Sequence, residues 1–193
     1  MKIVFATHNQ HKVEEIKAIL PSSIEILSLT DIGCFEEIPE TEETIEGNAL
    51  LKATFVKEHY GNDCFADDTG LEVDFLKGAP GVHSARYAGE KKDDQANMNK
   101  LLEELNQTDQ REAQFKTVIA LVTEEGKEIF TGICKGNILH AARGTAGFGY
   151  DPIFQPNGKN QSFAEMTAEE KNKISHRARA TRKLLDFLAQ KTA

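Results

Sequence analysis

Three things are missing from this sequence of 193 residues, and each closes off a class of protein. There is no basic surplus. The formal charge is -8, whereas a general nucleic-acid binder presents a large basic surface to neutralise phosphates; only a local basic site is left open. There is no paired-cysteine pattern either. Cys34, Cys64 and Cys134 are odd in number and lack C-x-x-C spacing, so neither a disulfide framework nor a zinc site is indicated, and they read as reduced core thiols. Long apolar runs are absent as well. The run Ile3 to Ala6 breaks at Thr7-His8-Asn9, too short for a signal-peptide core, and no segment approaches the length of a membrane span. The expected location is cytoplasmic.

What is present is an ordinary globular composition at a length that buries a sizeable core, expected to form a single domain over residues 1–193 with room for two lobes. Lys2-Ile-Val-Phe-Ala6 is rich in β-formers, and Val13, Ile16, Ile19 and Leu20 recur at helical spacing until Pro21. The reading is strand, loop, helix, then a second strand over Ile24 to Leu27. In an α/β protein the loop before such a helix is where a phosphate binds, because the helix N-terminus offers free N–H groups and positive dipole. Lys12 stands in that first turn.

From Glu36 to Glu46 the chain carries six glutamates and no basic residue, an acidic loop that is usually solvated but could present one or two carboxylates to a metal. Asn48 to Tyr60 reads as a helix with Lys52 able to look inward. A strand over Asp63 to Ala66 then leads into Phe65-Ala66-Asp67-Asp68-Thr69-Gly70. Taken alone, Asp-Asp-Thr-Gly is good turn chemistry. Two adjacent carboxylates at the end of a buried strand, however, need a cation, a proton or hydrogen-bond donors to offset them. A divalent metal is the alternative to the turn.

Further on, Leu71 to Phe75 alternates like a half-buried strand, and Gly78-Ala-Pro-Gly81 is a turn. Asp93 or Asp94 caps a helix with Met98, Leu101, Leu102 and Leu105 on its apolar side. Strands over Phe115 to Thr123 and Glu128 to Cys134 form a hairpin, with another around Gly136 to His140. The pattern predicts a mixed α/β sheet with flanking helices. Arg143 to Asp151 packs three glycines into six residues, allowing positive φ or close approach to a ligand, without the spacing of a dinucleotide fingerprint. Thr167-Ala-Glu-Glu170 is a capping box, and a last helix from Ser175 would pack through Ala178, Thr181, Leu185 and Leu188. Between Lys171 and Lys183 stand six Lys or Arg, His176 and no acidic residue. A phosphate loop, a carboxylate pair and a cationic wall together describe a site for a nucleotide or other polyphosphate, with magnesium joining the first two.

The residues also carry a family resemblance. Thr7-x-Asn9-x-x-Lys12, Ala66-Asp-Asp-Thr-Gly-Leu71, Gly78-Ala-Pro-Gly81 with Ser84-Ala-Arg-Tyr87, Gly147-Phe-Gly-Tyr-Asp-Pro-Ile-Phe154 and Ser175-His-Arg177 resemble the inosine/xanthosine triphosphate pyrophosphatases, in order along nearly the whole chain. The resemblance implies a Maf-like α/β fold, an elongated mixed β-sheet with two lobes around a nucleotide cleft, in a homodimer. It implies Mg2+-dependent hydrolysis of ITP, dITP and XTP to the monophosphate and pyrophosphate. By position, the loop Thr7, His8, Asn9, Gln10, His11 and Lys12 would hold the triphosphate; Glu40 and Asp68 would bind the metal, Asp68 doubling as general base. Lys52 would touch the phosphates and Thr69 the substrate. Phe148, Gly149, Tyr150, Asp151, Lys171, His176 and Arg177 would form the base pocket, and donors among the last three would select a 6-oxo purine over adenine. On that reading Arg177→Ala is expected to lower activity far more than stability. Two positions depart from the family pattern: His8 stands where many members have glycine, and Thr69 where many have serine.

Rival readings exist. Asp68-Thr69-Gly70 spells the aspartic-protease triplet, but such enzymes need two facing carboxylates sharing a proton and neither metal nor phosphate loop. A non-catalytic nucleotide sensor could use the same residues. Maf-type hydrolases of other nucleotides are related, and the Phe-Gly-Tyr-Asp and Ser-His-Arg motifs favour the purine branch.

Overall fold

The computed structural model describes residues 1–192. Strand β1 (Lys2–Phe5) is followed by helix α1 (Gln10–Lys17), β2 (Glu25–Leu27), helix α2 (Ile45–Tyr60), β3 (Cys64–Val73) and the short β4 (Pro80–Gly81). Then come α3 (Asp94–Glu104), the long strands β5 (Glu112–Thr123) and β6 (Gly126–Ile138), β7 (Phe154–Pro156), α4 (Ala168–Ile174) and α5 (His176–Thr192). The hydrogen-bonded strand order is β2-β1-β3-β5-β6-β7, with β4 on β3. β1 is parallel to both neighbours, with Val4 opposite Leu27 on one side and Phe5 opposite Phe65 on the other. β4 and β7 pair antiparallel, with β3 and β6 respectively. The sheet is mixed, as the sequence pattern predicts. Among the described residues no helix is long and apolar enough to cross a membrane.

Several boundaries differ from the sequence-based expectation, and each difference has a tertiary cause. Asp67-Asp68-Thr69-Gly70 is not a turn: β3 runs straight through it, joining the two predicted strands. Its early residues pair with β1 and its late residues, Leu71 and Glu72, with β4. Ladder bonds on both sides outweigh local turn preference. The two strands expected between residues 128 and 140 are likewise one, β6. Gly136 sits inside it because β7 lies so close that a Cβ there would meet Gln155 O at 2.3 Å. On α5 the buried contact falls to Leu184, with Leu185 only half-buried. The expected caps are in place: Asp93 Oδ1 accepts from Ala96 N (3.0 Å), and Thr167 and Glu170 form the capping box.

The chain divides into two compact units, one made of residues 1–68, 117–132 and the C-terminal segment from His176, the other of residues 69–116 and 133–175. The first has an apolar core in which Ile3, Phe5, Ile16, Phe65, Ile119, Leu121, Leu184 and Leu188 are buried together. Phe5 and Phe65, register partners on β1 and β3, stack with centroids 4.6 Å apart; such a pair adds about 0.5–1.5 kcal/mol beyond its buried area. The second unit packs Leu71, Met98, Leu101, Leu105, Phe115, Phe154 and Phe163 into its own core. α5 lies directly on β6 in the first unit. A Cβ on Gly132 would come within 2.0 Å of His176 O and 2.5 Å of Ala180 N, so this close approach requires glycine there.

Candidate active site

The loop between β1 and α1 is shaped by its own polar side chains. Thr7 Oγ1 accepts from Asn9 N (3.1 Å), and Asn9 caps α1 by accepting from Lys12 N (3.3 Å). His8 Nε2 lies 3.2 Å from Glu36 O, tying this loop to the acidic stretch. Gln10 Nε2 donates to Glu14 Oε1 (3.3 Å), and His11 stands exposed beside it in the first turn. Lys12, the third helical residue, turns inward and its ammonium donates to Asp67 Oδ1 at 2.9 Å.

Successive side chains of a strand leave opposite faces, and β3 uses this to separate its adjacent carboxylates. Asp67 is fully buried and meets Lys12 from α1 and Arg177 from α5, whose Nε donates to Asp67 Oδ2 at 3.0 Å. α1 and α5 pack together, and Arg177 also pairs with Glu15 on α1. Asp68 leaves on the other side toward α2. There Lys52 Nζ is 3.9 Å from Asp68 Oδ1 and donates to Glu40 Oε1 at 2.7 Å. Lys52 occupies the buried stripe of α2 with Ile45, Ala49, Ala53 and Val56, which is why its ammonium points inward.

The same placement splits the pair electrostatically. Burial alone would raise the Asp67 carboxyl, but Lys12, Arg177 and Lys52 outweigh it and hold it well below the usual carboxylate range. For Asp68 burial wins. With Glu40 and Asp67 adding to it and only Lys52 and Lys12 opposing, its carboxyl is pushed up. Burial would lower Lys52, yet Asp68, Glu40 and Asp67 together keep it raised and charged. Lys12 is lowered, by burial first and by its cationic neighbours Lys52 and Arg177.

Glu40 and Asp68 converge on one cation, the Lys52 ammonium, and both offer hard oxygen donors. Among the described residues no group of three or more His, Cys, Asp or Glu is gathered as for a metal ion. Magnesium is commonly held by only one or two carboxylates plus substrate phosphates, so this donor pair fits that ion and is too sparse for a structural zinc site.

The second unit holds the glycine-rich loop. Gly144, Gly147 and Gly149 all take positive φ (84°, 76° and 61°), a region glycine enters without the steric cost of a side chain. Gly147 also leaves room for a carboxylate: a Cβ there would lie 2.1 Å from Asp151 Oδ2. That oxygen accepts from Phe148 N (3.0 Å) and from Lys171 Nζ (2.7 Å). Asp151 and Lys171 are both buried, and the Lys171 ammonium lies over the Phe148 and Phe163 rings at 5.2 and 5.4 Å. Tyr150 donates its hydroxyl to Ser84 O (2.7 Å), burying the ring. Thr69, half-buried, begins this unit on β3.

Of the residues singled out in the sequence, the structure gathers Thr7, Asn9, Lys12, Glu40, Lys52, Asp68 and Arg177 in the first unit, with His176 buried beside Arg177. It gathers Phe148, Gly149, Tyr150, Asp151 and Lys171 in the second. Arg177 differs from its expected place among base-reading donors: its guanidinium is spent on Asp67 and Glu15. Removing it would therefore carry a structural cost as well, because two ion pairs would be lost. Sequence reasoning missed Glu15, three residues after Lys12 on the same helical face, a spacing that offers a signal. It also missed Asp94, whose carboxylate accepts from Gly149 N (2.7 Å), a contact across 55 residues that no local pattern announces.

Comparison with known proteins agrees with this arrangement. The sequence model described as the Ham1 family matches residues 3–187. A Christiangramia forsetii protein called dITP/XTP pyrophosphatase is 60% identical over 190 residues, covering 98% of this chain and 100% of that protein. A Flavobacterium psychrophilum protein of the same name is 60% identical over 187 residues, covering 97% and 98%. Among solved structures, the Staphylococcus aureus Ham1 protein superposes with a TM-score of 0.91 at 38% identity, covering 99% of this chain and 100% of that one.

Proposed function

The chain belongs to the Ham1 family, and from that membership and the site geometry we propose that it hydrolyses ITP, dITP and XTP to the nucleoside monophosphate and pyrophosphate. It is a nucleoside-triphosphate pyrophosphatase, as its relatives named dITP/XTP pyrophosphatase are, and on this reading it clears non-standard purines from the nucleotide pool. The observation that carries the reading is the divided carboxylate pair, Asp67 bound to Lys12 and Arg177, Asp68 turned to Lys52 beside Glu40.

On this reading the N-terminus of α1, with Thr7 to Lys12, receives the triphosphate: unpaired N–H groups of a helix start and a lysine suit phosphate oxygens. Lys52 is the second cation for the phosphate chain. Mg2+ held by Glu40 and Asp68, when bound, would neutralise charge accumulating on the pyrophosphate as it leaves. Asp68 takes the proton of the water that attacks the α-phosphorus, and the bond from that phosphorus to the bridging oxygen of pyrophosphate breaks. A base must be basic enough to accept a proton yet ionised beforehand; without a metal, burial raises the proton affinity of Asp68, and Mg2+ would lower it again. Asp67 is the positioning carboxylate that keeps Lys12 extended. Thr69 contacts substrate, and Phe148 to Asp151, Lys171 and His176 serve the purine. Arg177 acts through Asp67.

The protease reading would need a second copy of Asp68 facing the first to share a proton, whereas Asp68 here lies 3.9 Å from the Lys52 ammonium beside Glu40; full activity in EDTA would favour that reading. The resemblance also suggests a cytoplasmic homodimer, which sedimentation velocity tests. The deciding experiment is a panel of ITP, dITP, XTP, GTP, ATP and pyrimidine triphosphates, assayed with and without Mg2+ for pyrophosphate and orthophosphate. Metal-dependent pyrophosphate from the first three is expected. Orthophosphate as product, or equal rates on ATP, would overturn the reading.

A further inference from the structure

Helix α3 reads in the sequence as a simple amphipathic helix, yet its first turn does two different jobs with two adjacent aspartates. Asp93 is the ordinary N-cap, accepting from Ala96 N at 3.0 Å. Asp94 reaches away from the helix and accepts the Gly149 N–H at 2.7 Å. Gly149 lies between Phe148 and Tyr150 and takes positive φ, and a Cβ there would meet nothing within 4 Å. Asp151 N donating to Phe148 O (3.3 Å) closes the turn around it. The Asp94 carboxylate is what holds its own N–H.

A second link leads from the same helix to the other flank of this tripeptide. Asn97, buried one turn after Asp94, accepts from Ala88 N (2.7 Å) and donates to Ala85 O (3.1 Å), which pins residues 84–88. Tyr150 donates its hydroxyl to Ser84 O in that same segment (2.7 Å). On the near side, Phe148 N is held by Asp151 Oδ2. The peptide at Gly149 would be the loose member of the loop if Asp94 were absent, since its neighbours are anchored and it is a glycine free to enter other conformations.

We propose that Asp94 is a positioning residue for purine recognition: its carboxylate locks the Phe148-Gly149-Tyr150 turn in the conformation that receives the base. The proposal rests on the reading that this turn serves the purine. Pre-organisation of a binding loop lowers the entropy lost on binding, and the base lies away from the scissile phosphorus. Loss of the lock therefore weakens substrate and transition state alike, which raises KM and spares kcat.

The test compares Asp94→Ala, Asp94→Asn and Asp93→Ala in the full-length protein with Mg2+. Asp94→Ala should raise KM for ITP about tenfold, the size expected for one charge-assisted hydrogen bond to a backbone N–H, with kcat within about twofold. Asp94→Asn keeps an acceptor oxygen and should restore most of the affinity. Asp93→Ala should lower the melting temperature through the lost cap and leave KM unchanged. Hydrogen exchange at the Gly149 amide, measured without nucleotide, should speed up in Asp94→Ala alone. A wild-type KM in Asp94→Ala, or unchanged exchange at Gly149, overturns the proposal. If the wild type fails to hydrolyse ITP, the functional reading falls, and the exchange measurement alone decides whether Asp94 holds the turn.

Discussion

Asp67→Asn and Asp68→Asn, one residue apart and chemically identical, should give opposite results. Asp67 is the shared counter-ion of Lys12 and Arg177, both inside the protein. Asparagine keeps the shape but leaves two cations facing a neutral amide, and removing one partner of a buried ion pair costs about 3–5 kcal/mol. Glu15 still pairs with Arg177, which places the expectation nearer the lower end. For a chain of this size each kcal/mol lowers the melting temperature by about 2–4 °C, and the urea midpoint falls by about 1–2 M at an unchanged slope. Asp68 is the reverse case. Its carboxyl is pushed up, chiefly by burial, so once ionised its charge costs the folded state stability. Neutralising it should leave stability unchanged or raise it, because Lys52 retains Glu40.

The pH dependence carries the same sign information. A folded-state value held below the unfolded one stabilises the fold above the ordinary aspartate range, near about pH 4, and that stabilisation is lost as pH falls toward the depressed value. Asp67 is such a group. The stability gap between wild type and Asp67→Asn should therefore be full at neutral pH and shrink under acid. Activity should divide the other way: Asp68→Asn removes the proposed base and a metal ligand, and kcat should fall by about 10²–10⁴ while the protein melts normally. Urea titrations followed by circular dichroism, with pyrophosphate release in parallel, measure both. A loss of under about 1 kcal/mol in Asp67→Asn, or a loss in Asp68→Asn as large as in Asp67→Asn, would refute the division of roles.

Arg177→Ala should destabilise by about 3 kcal/mol as well as lower activity, since it takes one cation from Asp67, which keeps Lys12, and one from Glu15; the Asp67→Asn, Arg177→Ala double variant should cost less than the sum of the singles, because both act in one network. Gly132→Ala should lower the melting temperature and the activity together, because its Cβ would meet the backbone of His176 and Ala180 and push the start of α5 off β6. A Gly132→Ala protein with normal stability and kcat/KM would mean that α5 is not held at that distance.

How far the sequence could be read depended on the reach of each interaction. The β1–α1 boundary is legible because apolar period, polar loop and Lys12 all lie within a dozen residues, and the caps at Asp93 and Thr167 are legible because a cap closes over three residues. β3 is not. Asp-Asp-Thr-Gly has local turn chemistry, and what makes it a strand is pairing with β1 and β4 and cations supplied from positions 12, 52 and 177. The role of Asp67 lay out of reach for the same reason, its partners being 55 and 110 residues away. Arg177 stands in a basic run that suggests a cationic wall, but only the contact of α5 with α1 directs it to carboxylates.

On the proposed function, the charge of the first-unit ion pairs gives a physical reason for metal and triphosphate to bind together. Three cations, Lys12, Lys52 and Arg177, face four carboxylates, Glu15, Glu40, Asp67 and Asp68, so these ion pairs leave one negative charge in excess. The other five glutamates between Glu36 and Glu46 belong to the same stretch as Glu40, in a chain whose formal charge is -8. A nucleoside triphosphate arriving there with several more negative charges meets repulsion that Lys12 and Lys52 cannot offset, since both are already engaged by carboxylates. Were Glu40 and Asp68 to hold a divalent cation, as proposed, that balance would be reversed where the phosphate chain would lie, and Lys52 would be freed for the substrate. Binding of the polyphosphate and of the metal should therefore be mutually dependent, each raising the affinity of the other by the same factor. On the proposed reading, an acidic site of this kind would discriminate against bare polyanions and would take a triphosphate as its magnesium complex.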